Sequence, residues 1–199
     1  KVLAGELPAA GGEISHHFLE HGEAAHEHVA YVAFEAQREV LGPEAYYQDR
    51  WNAGLSEKAP TVSDILSERG IRHANPFVVD IPILHKNVKY RDTGFAVRQK
   101  KIIRDFGLQA LLDRKLLQLS NGERRKVSIA RALLKNPKLL ILDNPFEGLD
   151  VRFRAVLKKN LESLMRGKMR IIIVGTGREE IPDGITHVLR IHGDHMVSV

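Results

Sequence analysis

Two unbroken aliphatic runs, Leu139-Leu140-Ile141-Leu142 and Ile171-Ile172-Ile173-Val174, bracket a segment where Phe153, Val156, Leu157, Leu161 and Leu164 recur at i, i+3, i+4, i+8 and i+11. That order predicts strand, amphipathic helix, strand, with Asp150 placed to cap the helix. A helix between two strands of one sheet makes the strands parallel. Neither run alternates with polar residues, so both are expected to be covered on two faces. Both are far shorter than the roughly 18 apolar residues that suggest a membrane span. With 199 residues, 43% hydrophobic and 28% charged, the chain is long enough for one large domain or for a core carrying an inserted lobe.

Punctuation elsewhere supports the second arrangement. Lys1 to Pro8 reads as the last turn of a helix stopped at Gly5 and Pro8. Short extended segments at Glu13 to Phe18 and His28 to Phe34 suggest a small antiparallel sheet. Thr61 to Glu68 opens on a capping box and predicts a peripheral helix. Asn75 to Tyr90, with Pro76 and Pro82, is irregular, and helical spacing returns at Val97, Ile102, Ile103 and Phe106. Val127, Ala130, Leu133 and Leu134 share one face of a helix that Asn136-Pro137 ends. His187 to Ile191 and Met196 to Val199 predict a hairpin turning at Gly193-Asp194. The expected organisation is an α/β core formed by residues 1–33 and 137–199, with a helical lobe at 34–136.

The charge is uneven. The whole chain carries 30 Lys+Arg against 25 Asp+Glu, a net +5. Between Arg98 and Lys138, twelve bases face three acids, a local +9 that reads either as a solvated helical surface or as a face for a polyanion. With no cysteine, there is neither a disulfide framework nor a zinc-thiolate site, and a reducing compartment is the simplest context. His16, His17, His21, His26 and His28 lie among Glu13, Glu20, Glu23 and Glu27, yet their spacing fits no compact metal site and they read as solvated positions. Tyr46, Tyr47 and Trp51 read as packing within the lobe rather than as a partner-docking patch.

Two places carry chemistry. Ser120-Asn121-Gly122-Glu123 stands just before a helix, where free amides and the helix dipole favour an anion, although an ordinary N-cap explains the same residues. Asp143 ends a buried strand, where ligands gather in open α/β sheets, and its carboxylate suits Mg²⁺ held through water beside a nucleotide phosphate.

The order of these features, followed by Gly148-Leu149-Asp150, resembles the ATP-binding domain of the ABC superfamily. Leu119 to Glu123 is similar to its LSGGQ signature, Leu139 to Asp143 to its Walker B strand, and Gly148 to Asp150 to its D-loop. The resemblance extends from Lys1-Val2-Leu3-Ala4-Gly5-Glu6-Leu7, similar to the segment after the phosphate-loop helix, through Gly12-Glu13-Ile14, similar to the strand after it. Gly107 to Arg114, Pro145 to Val151 and Glu180-Ile181-Pro182 look like the first half of the ModF-like group, two-half ABC ATPases linked by name to molybdate transport and photorepair. It implies a P-loop NTPase-like core with a mixed sheet, a small antiparallel sheet and the inserted helical lobe.

ATP and Mg²⁺ are the implied cofactors, clamped between two such halves. Ser120, Asn121, Gly122, Glu123 and Asp150 would contact nucleotide, and Asp143 would hold the metal. A second ABC half and a membrane permease are the implied partners, in the cytoplasm or at the inner membrane face, with no direct membrane insertion.

The chain departs from the family pattern in four places. The glycine-rich phosphate loop is not among these residues, and because Lys1 falls where its helix should finish, a longer product carrying that loop is expected. Asn144 stands at the position of the catalytic glutamate; a neutral amide can orient water but cannot accept its proton. Thr176 stands near the switch-histidine position, and could still bond a γ-phosphate. Phe34 and Glu35 stand where the Q-loop glutamine belongs, so that Glu35 or Gln37 either senses Mg²⁺ or is merely exposed. The expectation is an ABC-type ATP-hydrolysing half with a weakened site. The rival is a non-hydrolytic ATP clamp, or a nucleic-acid-associated ABC protein using the basic stretch.

Overall fold

A computed structural model describes residues 2–5, 7, 10–21, 23–33, 60–72, 94–167, 169–175, 177, 181–192 and 195–198. Its centre is a parallel sheet. Strand β1 (Val29–Ala33) follows a single helical turn, α1 (Ala25–His28), and pairs with β2 (Leu139–Asp143), which pairs with β3 (Arg170–Val174). The register aligns Tyr31, Ile141 and Ile172 across the three strands, and then Ala33, Asp143 and Val174. Strand alternation therefore places Tyr31 and Asp143 on one face, two residues apart along the strands.

Each face has its own apolar cluster. Ala30, Leu140 and Leu142 join the main core, with Val32, Ile171 and Ile173 packed against it; Val29, Leu139 and Ile141 form a smaller cluster with Ala4, against which Phe18, Ala25 and Tyr31 pack. The two-face covering expected of both runs holds for β2, buried from Leu139 to Leu142, and fails for β3. There burial alternates, and Ile172 and Val174 are 38% and 50% exposed because the smaller cluster stops at β2.

The helices follow the expected pattern. Helix α2 (Val62–Leu66) begins at the Thr61 capping box, where Thr61 Oγ1 accepts from the Asp64 amide at 3.1 Å and Asp64 Oδ2 accepts from the Thr61 amide at 2.9 Å. It does not run on through Glu68. Ser67 turns extended, and its Oγ accepts from the Gly70 amide at 3.0 Å, starting α3 (Glu68–Arg72) as a separate turn. Helix α4 (Phe95–Asp105) buries Ile102 and leaves Val97 exposed. Two 3₁₀ turns then lead to α5 (Asn121–Leu134), which ends before Asn136, in left-handed backbone at φ 55°. Helix α6 (Val151–Arg166) buries Phe153, Leu157 and Leu161 as its periodicity predicted, while Val156, expected on the same face, is 38% exposed. One continuous core joins Val62 and Leu66, from the expected lobe, to Leu140 and Leu157, from the expected sheet layer.

A further local expectation is corrected. Glu13 to Phe18 forms no strand: the Leu19 amide donates to the His16 carbonyl at 3.0 Å, making a turn that delivers Phe18 to the smaller cluster. The segment expected to pair with it pairs with β2 instead, in parallel. Among the described residues, the antiparallel pairing of named strands is the hairpin of β4 (Leu189–His192) and β5 (His195–Ser198). Val2 to Gly5 is a turn stopped at Gly5 as expected, closed by the Gly5 amide on the Val2 carbonyl at 3.0 Å with Gly5 at φ 71°. No described helix is long and apolar enough to cross a membrane.

Candidate functional site

The start of α5 is built by a reciprocal capping box. Ser120 Oγ accepts from the Glu123 amide at 3.3 Å, and Glu123 Oε2 accepts from the Ser120 amide at 2.8 Å. That amide bond holds the Glu123 carboxyl below its ordinary range, burial opposes it, and the Ser120 side chain and Arg114, 3.6 Å away, add to the lowering. The N-cap explanation of Ser120 and Glu123 is therefore correct as local structure, and it does not exhaust the site. Ser120 Oγ accepts in the cap and keeps its own proton to donate. The amides of Asn121 and Gly122 open the helix, where intrahelical bonding supplies no acceptor. Ser120 and Asn121 are exposed. A Cβ on Gly122 would meet only Leu149 Cδ2, at 3.7 Å, so packing within the chain does not require glycine there.

At the end of β2, Asp143 is half-buried with one donor on each oxygen. Tyr31 Oη donates to Oδ2 at 2.9 Å, and Asn144 Nδ2 donates to Oδ1 at 3.1 Å. Asn144 has left-handed backbone at φ 47°, a conformation asparagine adopts more readily than most residues. Its amide donates to the Val174 carbonyl at 2.8 Å, and its carbonyl accepts from Arg125 Nη1 at 2.9 Å. Arg125 Nη1 also donates to the Glu147 carbonyl, and the side chain is 4% exposed. Fully buried Phe146 anchors the loop, Gly148 turns it at φ 67°, and Asp150 Oδ1 accepts from the Phe153 amide at 2.8 Å to start α6.

The structure thus gathers Asp143, Asn144 and Arg125 around one loop, with Asp150 at its end and Ser120 to Glu123 at the start of the helix that carries Arg125. Thr176 and Glu35, with Gln37, lie outside the described residues. Among the described residues, the space beside Asp143, lined by Val32, Ala33, Arg125, Ser128 and Pro145, admits about one water molecule. Sequence reading missed Arg125 and Tyr31. Arg125 carried a signal: it precedes Ile129, Ala132 and Leu133 by four, seven and eight residues, on a buried helix face. Tyr31 carried none, because its role needs the parallel register.

Much of the basic stretch is engaged internally. Arg98 donates to the Leu134 carbonyl and Arg124 to that of Leu119, at 3.3 and 3.0 Å, while Lys126 lies 4.2 Å from the centre of the Phe153 ring. Among the described residues no group of His, Asp and Glu side chains is arranged to hold a metal ion. His28 instead faces Glu23 at 3.3 Å.

The chain belongs to the ABC transporter family, whose family model matches residues 1–147. It is 31% identical over 185 residues to the ABC transporter ATP-binding protein ModF of Escherichia coli, covering 92% of this chain and 31% of that protein. Against the molybdenum import ATP-binding protein ModC of a Shewanella species, identity is 34% over 99 residues, covering 49% of this chain and 27% of the relative. The chain thus spans about a third or less of the curated relatives it matches. A component of the ABC transporter complex cbiONQ of Clostridium perfringens superposes with a TM-score of 0.64 at 19% identity, covering 94% of this chain and 65% of that one. A nucleotide-free ATP-binding cassette of an ABC transporter superposes at 0.53, with 21% identity over 82% of this chain and 57% of its own. The fold is that of an ABC ATPase core. ATP-binding domains of this family bind ATP with Mg²⁺.

The residues present fit that cofactor in part. Asp143 offers a hard oxygen donor at a strand end, and its two hydrogen bonds leave lone pairs uncommitted, as a Mg²⁺ ligand requires. The start of α5 offers a hydroxyl and amides suited to phosphate.

Proposed function

We propose that this chain forms one ATP-binding half of an ABC-type, transporter-associated ATPase that clamps ATP and Mg²⁺ against a second half, and that its own hydrolytic site is weakened. The Mg²⁺ would neutralise phosphate charge at that site. Asp143 would hold it. The Ser120 hydroxyl and the amides of Asn121 and Gly122 would donate to the γ-phosphate bound by the opposing half, with Glu123 keeping Ser120 in place through the capping box. Asp150 fixes the end of the loop along the seam. Glu35 or Gln37 would sense the metal, and Thr176 would donate to a γ-phosphate oxygen where a histidine would otherwise act.

The observation that carries the weakened site is the chemistry at residue 144. An amide beside Asp143, donating its Nδ2 to that carboxylate, has no basic atom with which to take a proton from water. The rival use of the basic stretch on nucleic acid is not favoured, because several of its bases already serve the fold. The names of the relatives support transport as the process, with molybdenum import suggested by the name of ModC. A place in the cytoplasm at the inner membrane face, beside a permease, follows from that process. Residues 1–33 and 137–199 would form its core and 34–136 its helical lobe.

The test is phosphate release by the full-length protein. Asn144→Glu is expected to speed turnover at least several-fold with ATP affinity little changed, and Asn144→Glu with Thr176→His to speed it further. Two variants that bind ATP and turn over no faster than the parent would overturn the reading.

A further inference from the structure

We infer that Tyr31 is a positioning residue that sets the orientation of the Asp143 carboxylate toward a divalent cation. This deepens the proposed function, since it rests on Asp143 as the metal-holding group. Tyr31 stands on the neighbouring strand, opposite Ile141, two residues short of Asp143 on the same sheet face. From there its hydroxyl spans the strand gap and donates to Oδ2 at 2.9 Å, while Asn144 Nδ2 donates to Oδ1 at 3.1 Å. One donor on each oxygen fixes the rotation of the carboxylate about its Cβ–Cγ bond. An ionised carboxylate has about four lone-pair sites, so each oxygen keeps a direction for a cation or its water.

The delivery of that hydroxyl is rigid. The Tyr31 ring packs against the cluster formed by Val29, Leu139 and Ile141, so its position is set by the sheet and not by a long flexible side chain. A phenylalanine would fill the same space. The hydroxyl adds to that packing a hydrogen bond to an acid at a strand end. Hydrogen-bond partners behind a metal ligand hold its geometry, and their loss typically lowers metal affinity about 10- to 100-fold.

The experiment titrates Mn²⁺, a cation that also favours oxygen ligands, into the full-length protein loaded with a non-hydrolysable ATP analogue, following free Mn²⁺ by electron paramagnetic resonance. Parent, Tyr31→Phe and Asp143→Asn are compared, with metal-free nucleotide affinity and melting temperature measured on each. Tyr31→Phe is expected to weaken Mn²⁺ binding about tenfold, leaving metal-free nucleotide affinity and melting temperature near those of the parent. Loss in Asp143→Asn without loss in Tyr31→Phe overturns the role of Tyr31 and leaves Asp143 standing. No loss in either variant overturns Asp143 as the metal-holding group, and Tyr31 with it. An equal fall in metal-free nucleotide affinity in Tyr31→Phe would make the residue a packing element, which also overturns the inference.

Discussion

Arg125 Nη1 lies 2.9 Å from the carbonyl oxygen of Asn144, joining the helix that begins at Ser120 to the loop that follows Asp143. The same nitrogen donates to the Glu147 carbonyl, so both ends of a tight loop hang on one buried cation. Helix and loop are 19 residues apart in sequence and act as one unit in space.

Removing that cation should therefore be costly. Arg125→Met keeps apolar bulk but leaves the Asn144 and Glu147 carbonyls without this partner. Losing charged donors to buried carbonyls predicts a loss of about 2–3 kcal/mol in unfolding free energy. Urea denaturation of the variant and the parent checks it, and equal midpoints would show that the loop holds without Arg125.

Two neighbours at the start of α5 should respond in opposite ways. Ser120→Ala removes the acceptor of the Glu123 amide and should destabilise by about 1 kcal/mol. Gly122→Ala adds a methyl with only an ordinary contact to Leu149, so stability should stay within about 1 kcal/mol of the parent or rise. ATP turnover by the full-length protein should nevertheless fall in Gly122→Ala, because on the proposed function the methyl crowds the phosphate that the Gly122 amide would meet. Thermal unfolding and turnover measured on the same samples separate the two effects.

Glu23 supplies a pH prediction. Lys138 Nζ donates to its Oε2 at 2.5 Å, and the Glu20 amide donates to the same oxygen at 2.8 Å. These two bonds, in that order, hold the carboxyl below its ordinary value of 4.5, against a small opposing effect of burial; the nearby charges of His28 and Lys138 reinforce them. A depressed folded value means that the stability is present above the unfolded value near 4.5 and is lost as pH falls through the folded one. Glu23→Gln should lower the melting temperature at neutral pH, and the gap from the parent should close below pH 4.5. A gap that persists unchanged at acid pH would place the effect elsewhere.

The sequence made the central strands, α5, α6 and their caps legible, because each rests on local signals: aliphatic runs, helical spacing, Ser120 and Asp150 before helices. Asp143 was legible for the same reason, standing at the end of a strand, and Asn144 through the family resemblance, standing at its catalytic-glutamate position. Pairing was not local. Val29 to Ala33 reads as a strand, but its partner lies more than a hundred residues away, and a nearby stretch at Glu13 to Phe18 invited the wrong one. The Tyr31 bond to Asp143 needs that pairing before it can be seen. Arg125 was hidden by charge, since an arginine among Glu123, Arg124 and Lys126 reads as surface until its phase against Ile129 and Leu133 is counted.

The alternation along β3 bears on how the protein behaves in a tube. Ile172 and Val174 face water from a strand whose intervening residues are packed, an aliphatic ridge on an otherwise ordered sheet. Self-association through that ridge is expected to grow as concentration rises. Light scattering across a dilution series, run before any assay, would separate a shortage of monomer from a shortage of activity.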